Sequence, residues 1–222
     1  QVAWDASQYH LTVPRLYLEA GGFRPVRFNN NSDLPFNIEL LFALAILLRD
    51  YVAAKLIHWF LGVMLLLATF RFCRRYTALP PALLACLLIA GSGIVGFTMT
   101  VAYIDLGFAF FCLVGFGYLV EWFELSHRTH PPWQAGAMLG AAAGCKAIFG
   151  LIPAAILVIL ISLVYARRRE WKTSGMVTVG ITLPTALLVA PWLIKSVVFT
   201  GNPVFPGFYS WFGGPDWSPE LD

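Results

Sequence analysis

Between Arg75 and Glu121 the sequence carries a single charged side chain, Asp105; every other position there is apolar, small or uncharged. Such a stretch cannot build a water-facing surface, because soluble elements interleave charged residues with apolar ones along each exposed face. It is also far longer than the ~20 residues one helix needs to cross a hydrocarbon core. It therefore reads as consecutive membrane helices, with Asp105 where they turn. The whole chain agrees: 59% of its 222 residues are hydrophobic, 12% are charged and the mean hydropathy is +0.71. Soluble domains run nearer half apolar and about a quarter charged. A soluble enzyme, a disordered chain and a secreted disulfide scaffold are all excluded.

Residues 1–34 are polar by comparison. QYHLTVPRLYLEAGG predicts a short interfacial helix stopped by Gly21 and Gly22, too short and too charged at Arg15 and Glu19 to cross. FRPVRFNNNSDLP predicts a loop. Pro35 opens a second short helix, FNIELLFALAILL, which Arg49 and Asp50 end. About five spans are expected after it: 54–72, 81–99, 106–120, a pair within 133–166 and 176–192. That pair either meets in a tight turn near 146–152 or forms one broken helix. The result is an all-α polytopic membrane protein in three parts. Residues 1–53 form an external first loop with two interfacial helices, 54–199 a transmembrane bundle, and 200–222 the start of a further external loop. QVAWDASQYH at one end and WSPELD at the other read as the middle of a longer polypeptide.

The charges set an expected orientation. Arg71, Arg74 and Arg75, then His127 and Arg128, then Arg167 to Lys172 all fall on one side if the spans alternate, and the positive-inside rule makes that side cytoplasmic. Asp105, the 146–152 turn, the loop after Phe199 and the first segment then gather on the outer face. The net charge of +3 includes no basic stripe with interleaved aromatics, so nucleic acid is not an expected partner. Cys73, Cys86, Cys112 and Cys145 have neither metal-site nor disulfide spacing and read as small buried hydrophobes.

A few polar residues stand out against this background. Asp5 lies in WDASQYH, four residues before Tyr9 and beside His10 in the same motif; it is either a helix cap or a carboxylate that takes a proton beside the bilayer. Asp105 is either a cap of the following helix or a functional acid, since a carboxylate at the lip of a helical hairpin is costly unless paired or hydrated. Lys146 follows the small-residue run AGAMLGAAAGC and either snorkels to the headgroups or meets a phosphate. Glu39 is a first-turn acid of the second short helix. Arg15, Arg24 and Arg27 either contact an anionic lipid or a pyrophosphate or sit on a wet surface, and His58, inside a span, reads as a packing or interhelical hydrogen-bonding residue. NPVFP at 202–206 predicts a rigid turn lining an entrance.

Taken together, WDxxxYH around Asp5, the interfacial helices, AYxDL around Asp105 and TGNPVFP resemble the bacterial GT-C membrane glycosyltransferases. These include the protein O-mannosyltransferase and aminoarabinose transferase group. The resemblance covers the chain's length but only the front half of such an enzyme. It implies a preceding first helix and a C-terminal half beyond these residues, as remaining polypeptide or membrane subunits. It implies transfer of a sugar from a polyprenyl-phosphate carrier to a lipid, glycan or protein acceptor, at the outer face of the bacterial inner membrane. Asp5 and Asp105 match the catalytic acids, and Lys146 matches a basic position near the carrier phosphate. Tyr9, His10, Arg15 and Glu39 fall in the substrate- or phosphate-binding region. A divalent cation, Mg or Mn, would be held at Asp105, although the DxD-like pairs of some relatives are absent, Ser7 and Tyr103 standing there instead. Membrane lipids are the remaining expected partners. The rival classes are a transporter fragment, with Asp105 and Lys146 as a coupling pair, and a non-catalytic membrane subunit.

Overall fold

The computed structural model describes residues 3–124 and 129–215 and, within them, all side chains except those of 147–150 and 153. His127, Arg128 and the tail 216–222, whose placement the sequence predicts, lie outside the described residues. Every regular element among the described residues is helical. The two short helices expected before residue 50 are α1 (Thr12–Glu19) and α2 (Asn37–Leu48). The long ones are α3 (Tyr51–Tyr76), α6 (Asp105–Glu124), α8 (Ala147–Arg167) and α9 (Trp171–Thr200). Shorter helices, α4 (Leu79–Ala90), α5 (Gly93–Thr98), α7 (Trp133–Ala143) and α10 (Tyr209–Phe212), complete the fold.

Local chemistry explains where the helices begin and end. Asp50 accepts from the N–H groups of Val52 (2.9 Å) and Ala53 (3.0 Å), so α3 starts at Tyr51, ahead of the expected Ala54. Prolines 80 and 81 open α4, where their missing N–H groups cost nothing. The expected continuous span 81–99 is broken: Gly91-Ser92 stops α4, and the remainder is the short α5. Gly91, Ser92, Gly93 and Gly96 lie together there, and poor helix formers concentrated in one turn outweigh the apolar flanks. The 133–166 pair breaks at Gly144–Lys146 rather than at 146–152. α9 runs on at both ends of the expected 176–192, continuing through Pro184 and Pro191.

Against the roughly five spans expected, three helices among the described residues are long and apolar enough to cross a bilayer: α3, α6 and α9. Asn37–Leu48 and Leu79–Ala90 are shorter apolar helices, and the stretch Ala154–Arg167 is the described apolar part of the 21-residue α8; a 12-residue helix is only about 18 Å long, well short of a ~30 Å hydrocarbon core. Only 33%, 28% and 33% of the apolar windows of α3, α6 and α9 are buried within the protein. Leu56, Leu67, Leu187 and Val198 are all exposed. Apolar surface on this scale suits hydrocarbon, not water.

The helices alternate in direction. Arg75 pairs with Glu121 (2.8 Å) and with Glu124 at one end of the bundle, while Lys146 meets Asp105 at the other. Helices α7 and α9 touch through glycines. A Cβ at Gly136 would strike the Gly180 carbonyl and a Cβ at Gly180 would strike Pro132, while Thr185 Oγ1 donates to the Gly136 carbonyl at 3.1 Å. Small residues thus let two backbones approach, as the run around Lys146 predicts. All four cysteines are free; Cys145 is buried and the others half-buried.

Candidate functional site

The first segment enters through a wide turn. The Leu11 N–H reaches back to the Ala6 carbonyl (3.0 Å), and the resulting π-helical turn Ala6–His10 sets Tyr9 and His10 side by side, ring centroids 4.0 Å apart. Asp5 stands at the head of this turn, half-buried, and its carboxylate makes no capping hydrogen bond. Capping therefore does not account for it.

Glu39 sits in the first turn of α2, but its side chain turns inward and is 1% exposed. His10 Nδ1 donates to Glu39 Oε1 at 2.7 Å across a buried contact. The second oxygen, Oε2, is buried with no hydrogen-bond partner, a cost of about 1–3 kcal/mol. Neighbouring Asn37 locks the start of α2. Its backbone N–H donates to the Gly144 carbonyl (3.0 Å), its amide to the Ala141 carbonyl (3.2 Å), and its Oδ1 accepts from Trp192 Nε1 (2.8 Å). A side chain at Gly144 would collide with this amide, so the C-terminal end of α7 requires glycine here.

Asp105 opens α6, whose position is set by His58. The His58 ring, 0% exposed about two turns into α3, donates through Nδ1 to the carbonyls of Thr98 and Val101 (2.9 Å each). Its Nε2 accepts from the Leu106 N–H at 3.3 Å. The interhelical role expected of His58 is thus its observed one. The break after α7 brings Lys146 Nζ to 2.7 Å from Asp105 Oδ1, with the two side chains 33% and 44% exposed. An ion pair this open contributes at most ~1 kcal/mol and is readily exchanged.

A second lysine was not singled out by the sequence. Lys195, near the end of α9, is buried and donates to the carbonyls of Ser32 (2.7 Å) and Leu34 (2.8 Å). The rings of Phe36 (4.6 Å), Trp192 (5.3 Å), Tyr17 (5.9 Å) and Phe23 (6.0 Å) surround its ammonium. It fastens the first segment to α9. A lone lysine in an apolar run was the available signal, the same one that marks Lys146.

These elements enclose a cavity of about 230 Å³ whose wall includes Tyr9, Asp33, Glu39, Lys146, Trp192 and Phe205. Its roof is the 203–206 segment, so NPVFP does line a cavity. Fully buried Asn202 holds that roof: its amide donates to the carbonyls of Gly207 (3.0 Å) and Gly213 (3.1 Å), and its Oδ1 accepts from the Val204 N–H (2.9 Å).

Of the residues the sequence nominates, Tyr9, Glu39 and Lys146 line the cavity itself. His10 and Asp105 act one step back, through Glu39 and Lys146. Asp5 is not on the wall, yet it lies near Tyr9. Arg15 is elsewhere: exposed, it pairs with Glu19 (2.6 Å), donates to the Tyr51 hydroxyl (3.3 Å) and borders a separate groove with Lys55. Asp33, Asn37, Trp192, Lys195 and Asn202 belong to the site without having been assigned a role in it from sequence.

Burial pushes the Tyr9 phenol above its ordinary range, and the charges of Asp5, Glu39 and Asp105 push it further. Burial also raises the Asp33 carboxyl, opposed by the nearby Lys195 charge, and raises the Cys145 thiol. A divalent cation is the expectation at Asp105, and the structure shows what surrounds that carboxylate. The Lys146 ammonium engages it, and among the described residues no group of three His, Cys, Asp or Glu side chains gathers there.

No family model, curated protein or solved structure matches this chain.

Proposed function

We propose that this chain carries the catalytic face of a membrane glycosyltransferase. It would move a sugar from a polyprenyl-phosphate carrier to a lipid, glycan or protein acceptor at the outer face of the bacterial inner membrane. The observation that carries this reading is Lys146, which lines a cavity that also holds Glu39 and Tyr9 and forms a partly exposed pair with Asp105 behind the wall, at the end of the bundle opposite the arginines.

In the reaction, the carrier phosphate takes the Lys146 ammonium in exchange for Asp105. The bond between the sugar's anomeric carbon and the phosphate oxygen breaks, and the electron pair leaves with the phosphate, whose growing charge Lys146 stabilises. The acceptor hydroxyl or amine forms the new bond at that carbon and gives its proton to a carboxylate, with Asp5 in the role of base. The products are the glycosylated acceptor and polyprenyl phosphate. Orientation follows from the arginine-rich end, which the positive-inside rule assigns to the cytoplasm.

The test is sugar transfer from a defined polyprenyl-phosphate donor in nanodiscs, beside direct donor binding. Asp5→Asn is expected to bind donor normally and to lose ~100- to 10,000-fold in turnover. Wild-type transfer by this variant would refute the base role. The Lys146–Asp105 pair also supports a second reading, a transporter coupling pair within the membrane. Solute flux into liposomes without consumption of any donor would favour it.

A further inference from the structure

Helices α3 and α6 run side by side in the same direction. A Cβ at Gly107, near the start of α6, would strike Leu61, and Arg75 pairs with Glu121 at the far end. Between them lies an open groove of about 330 Å³. Its walls run from Met64 to Arg75 on α3 and from Phe110 to Glu121 on α6, and each stretch rises about 16 Å. That is the depth of one leaflet, half of a ~30 Å hydrocarbon core. Polarity changes along the groove as it does through a leaflet. Met64, Leu67 and Phe110 line one end, and Arg71, Arg75 and Glu121 the other. Ala68 and Gly117 leave the space between, since a Cβ at Gly117 would meet only the Phe72 ring, at 3.7 Å.

The arginines at the charged end are not equivalent. Arg75 holds Glu121 at 2.8 Å and also grips Glu124, which accepts from the Tyr76 hydroxyl at 2.7 Å. Arg74 turns aside to the Thr77 carbonyl (2.9 Å). Arg71 reaches Glu121 only at 4.0 Å, and its side chain is 83% exposed. Three arginines thus face two glutamates, and the positive charge in excess sits at Arg71. We propose that the groove holds one phospholipid with an anionic headgroup, an acyl chain lying between α3 and α6 and the phosphate on Arg71. Basic pockets between membrane helices take anionic headgroups in this way, and the forked guanidinium matches two phosphate oxygens at once. The site lies at the end of the bundle opposite Lys146 and stands whether or not the chain transfers a sugar.

The test is lipid titration of the full chain, purified in detergent and stripped of lipid, with native mass spectrometry counting the lipids bound. Phosphatidylglycerol and phosphatidylcholine of the same acyl chains are compared. The unaltered protein is expected to bind one phosphatidylglycerol roughly tenfold or more tightly than phosphatidylcholine. Arg71→Gln should lose that preference and keep weak binding of both lipids; its side chain is too exposed to carry the fold. Gly117→Leu puts a side chain into the groove and should weaken both lipids alike, while leucine favours the helix. Arg74→Gln should change neither, because Arg74 does not line the groove. Equal losses from Arg71→Gln and Arg74→Gln would mean diffuse attraction to a basic end and would overturn the site. Equal binding of the two lipids by the unaltered protein would overturn it too, as would no binding of either, the groove then being covered by another helix. A dimer that Gly117→Leu splits would put a second copy in the groove instead of a lipid. Should Gly117→Leu fail to fold, the comparison of Arg71→Gln with Arg74→Gln decides.

Discussion

Lys146 Nζ lies 2.7 Å from Asp105 Oδ1, which joins the broken end of α7 to the first residue of α6 across 41 positions of sequence. Both partners are partly exposed, so the pair holds its geometry without being a strong brace. Asp105 also competes with any anion for the ammonium.

Opposite effects on phosphate binding are therefore expected from the two partners. Lys146→Ala should weaken binding of bare polyprenyl phosphate about tenfold or more, because a charge-assisted contact is lost. Asp105→Asn should leave that binding unchanged or tighten it, because the lysine no longer has a competitor. Neither should lower stability by more than ~1 kcal/mol. Titration calorimetry and thermal melts in one detergent measure both quantities, and weaker phosphate binding by Asp105→Asn would argue against the competition.

The buried partners His10 and Glu39 should behave differently. Removing one side of a buried, hydrogen-bonded pair typically costs ~3–5 kcal/mol, so Glu39→Ala and His10→Ala should each lower the melting temperature sharply. The double variant should be less destabilised than the sum, since the second removal strands nothing further. Additive losses in a double-mutant cycle would show that the 2.7 Å contact carries no coupling.

His58 acts on Asp105 through the backbone. His58→Ala would remove the partner of the Val101 carbonyl and of the Leu106 N–H, at ~1–3 kcal/mol for each buried group, while the Thr98 carbonyl keeps the Val101 N–H (3.3 Å). Beyond instability, the start of α6 should shift. Restoring the fold with a stabilising lipid or ligand should then leave a residual defect in turnover, which His58→Gln partly rescues. A variant with full turnover once refolded would make the residue purely structural.

Two glycines on α9 give a direct test of the helix seam. Gly175 faces open space, so Gly175→Ala should stabilise by ~0.5–1 kcal/mol through helix propensity alone. Gly180, where a Cβ would meet Pro132 and Pro131, should not tolerate the same change. Expression and melting of the two variants settle the matter, and similar behaviour would mean that α7 and α9 do not pack as described.

The apolar runs made the alternation of helices readable. They also exposed Asp105 and Lys146, because a charge in such surroundings must find a partner. Segment lengths were less legible. Hydropathy sees 81–99 as one run, whereas Gly91-Ser92 divides it, and Pro184 and Pro191 do not end α9 because packing outweighs local propensity. The site's remaining parts depend on contacts between distant segments. Asn37 reaches Ala141 and Trp192 across 104 and 155 residues, and Lys195 reaches Ser32 across 163. Nothing local distinguishes Asn37 from the asparagines of the loop before it.

Lys195 grips the carbonyls of Ser32 and Leu34, the backbone on either side of Asp33, and not the Asp33 side chain. The clamp is therefore blind to what residue 33 is. A different side chain at position 33 leaves both lysine contacts in place, so the path of the chain there is held from its flanks and not by the residue it encloses.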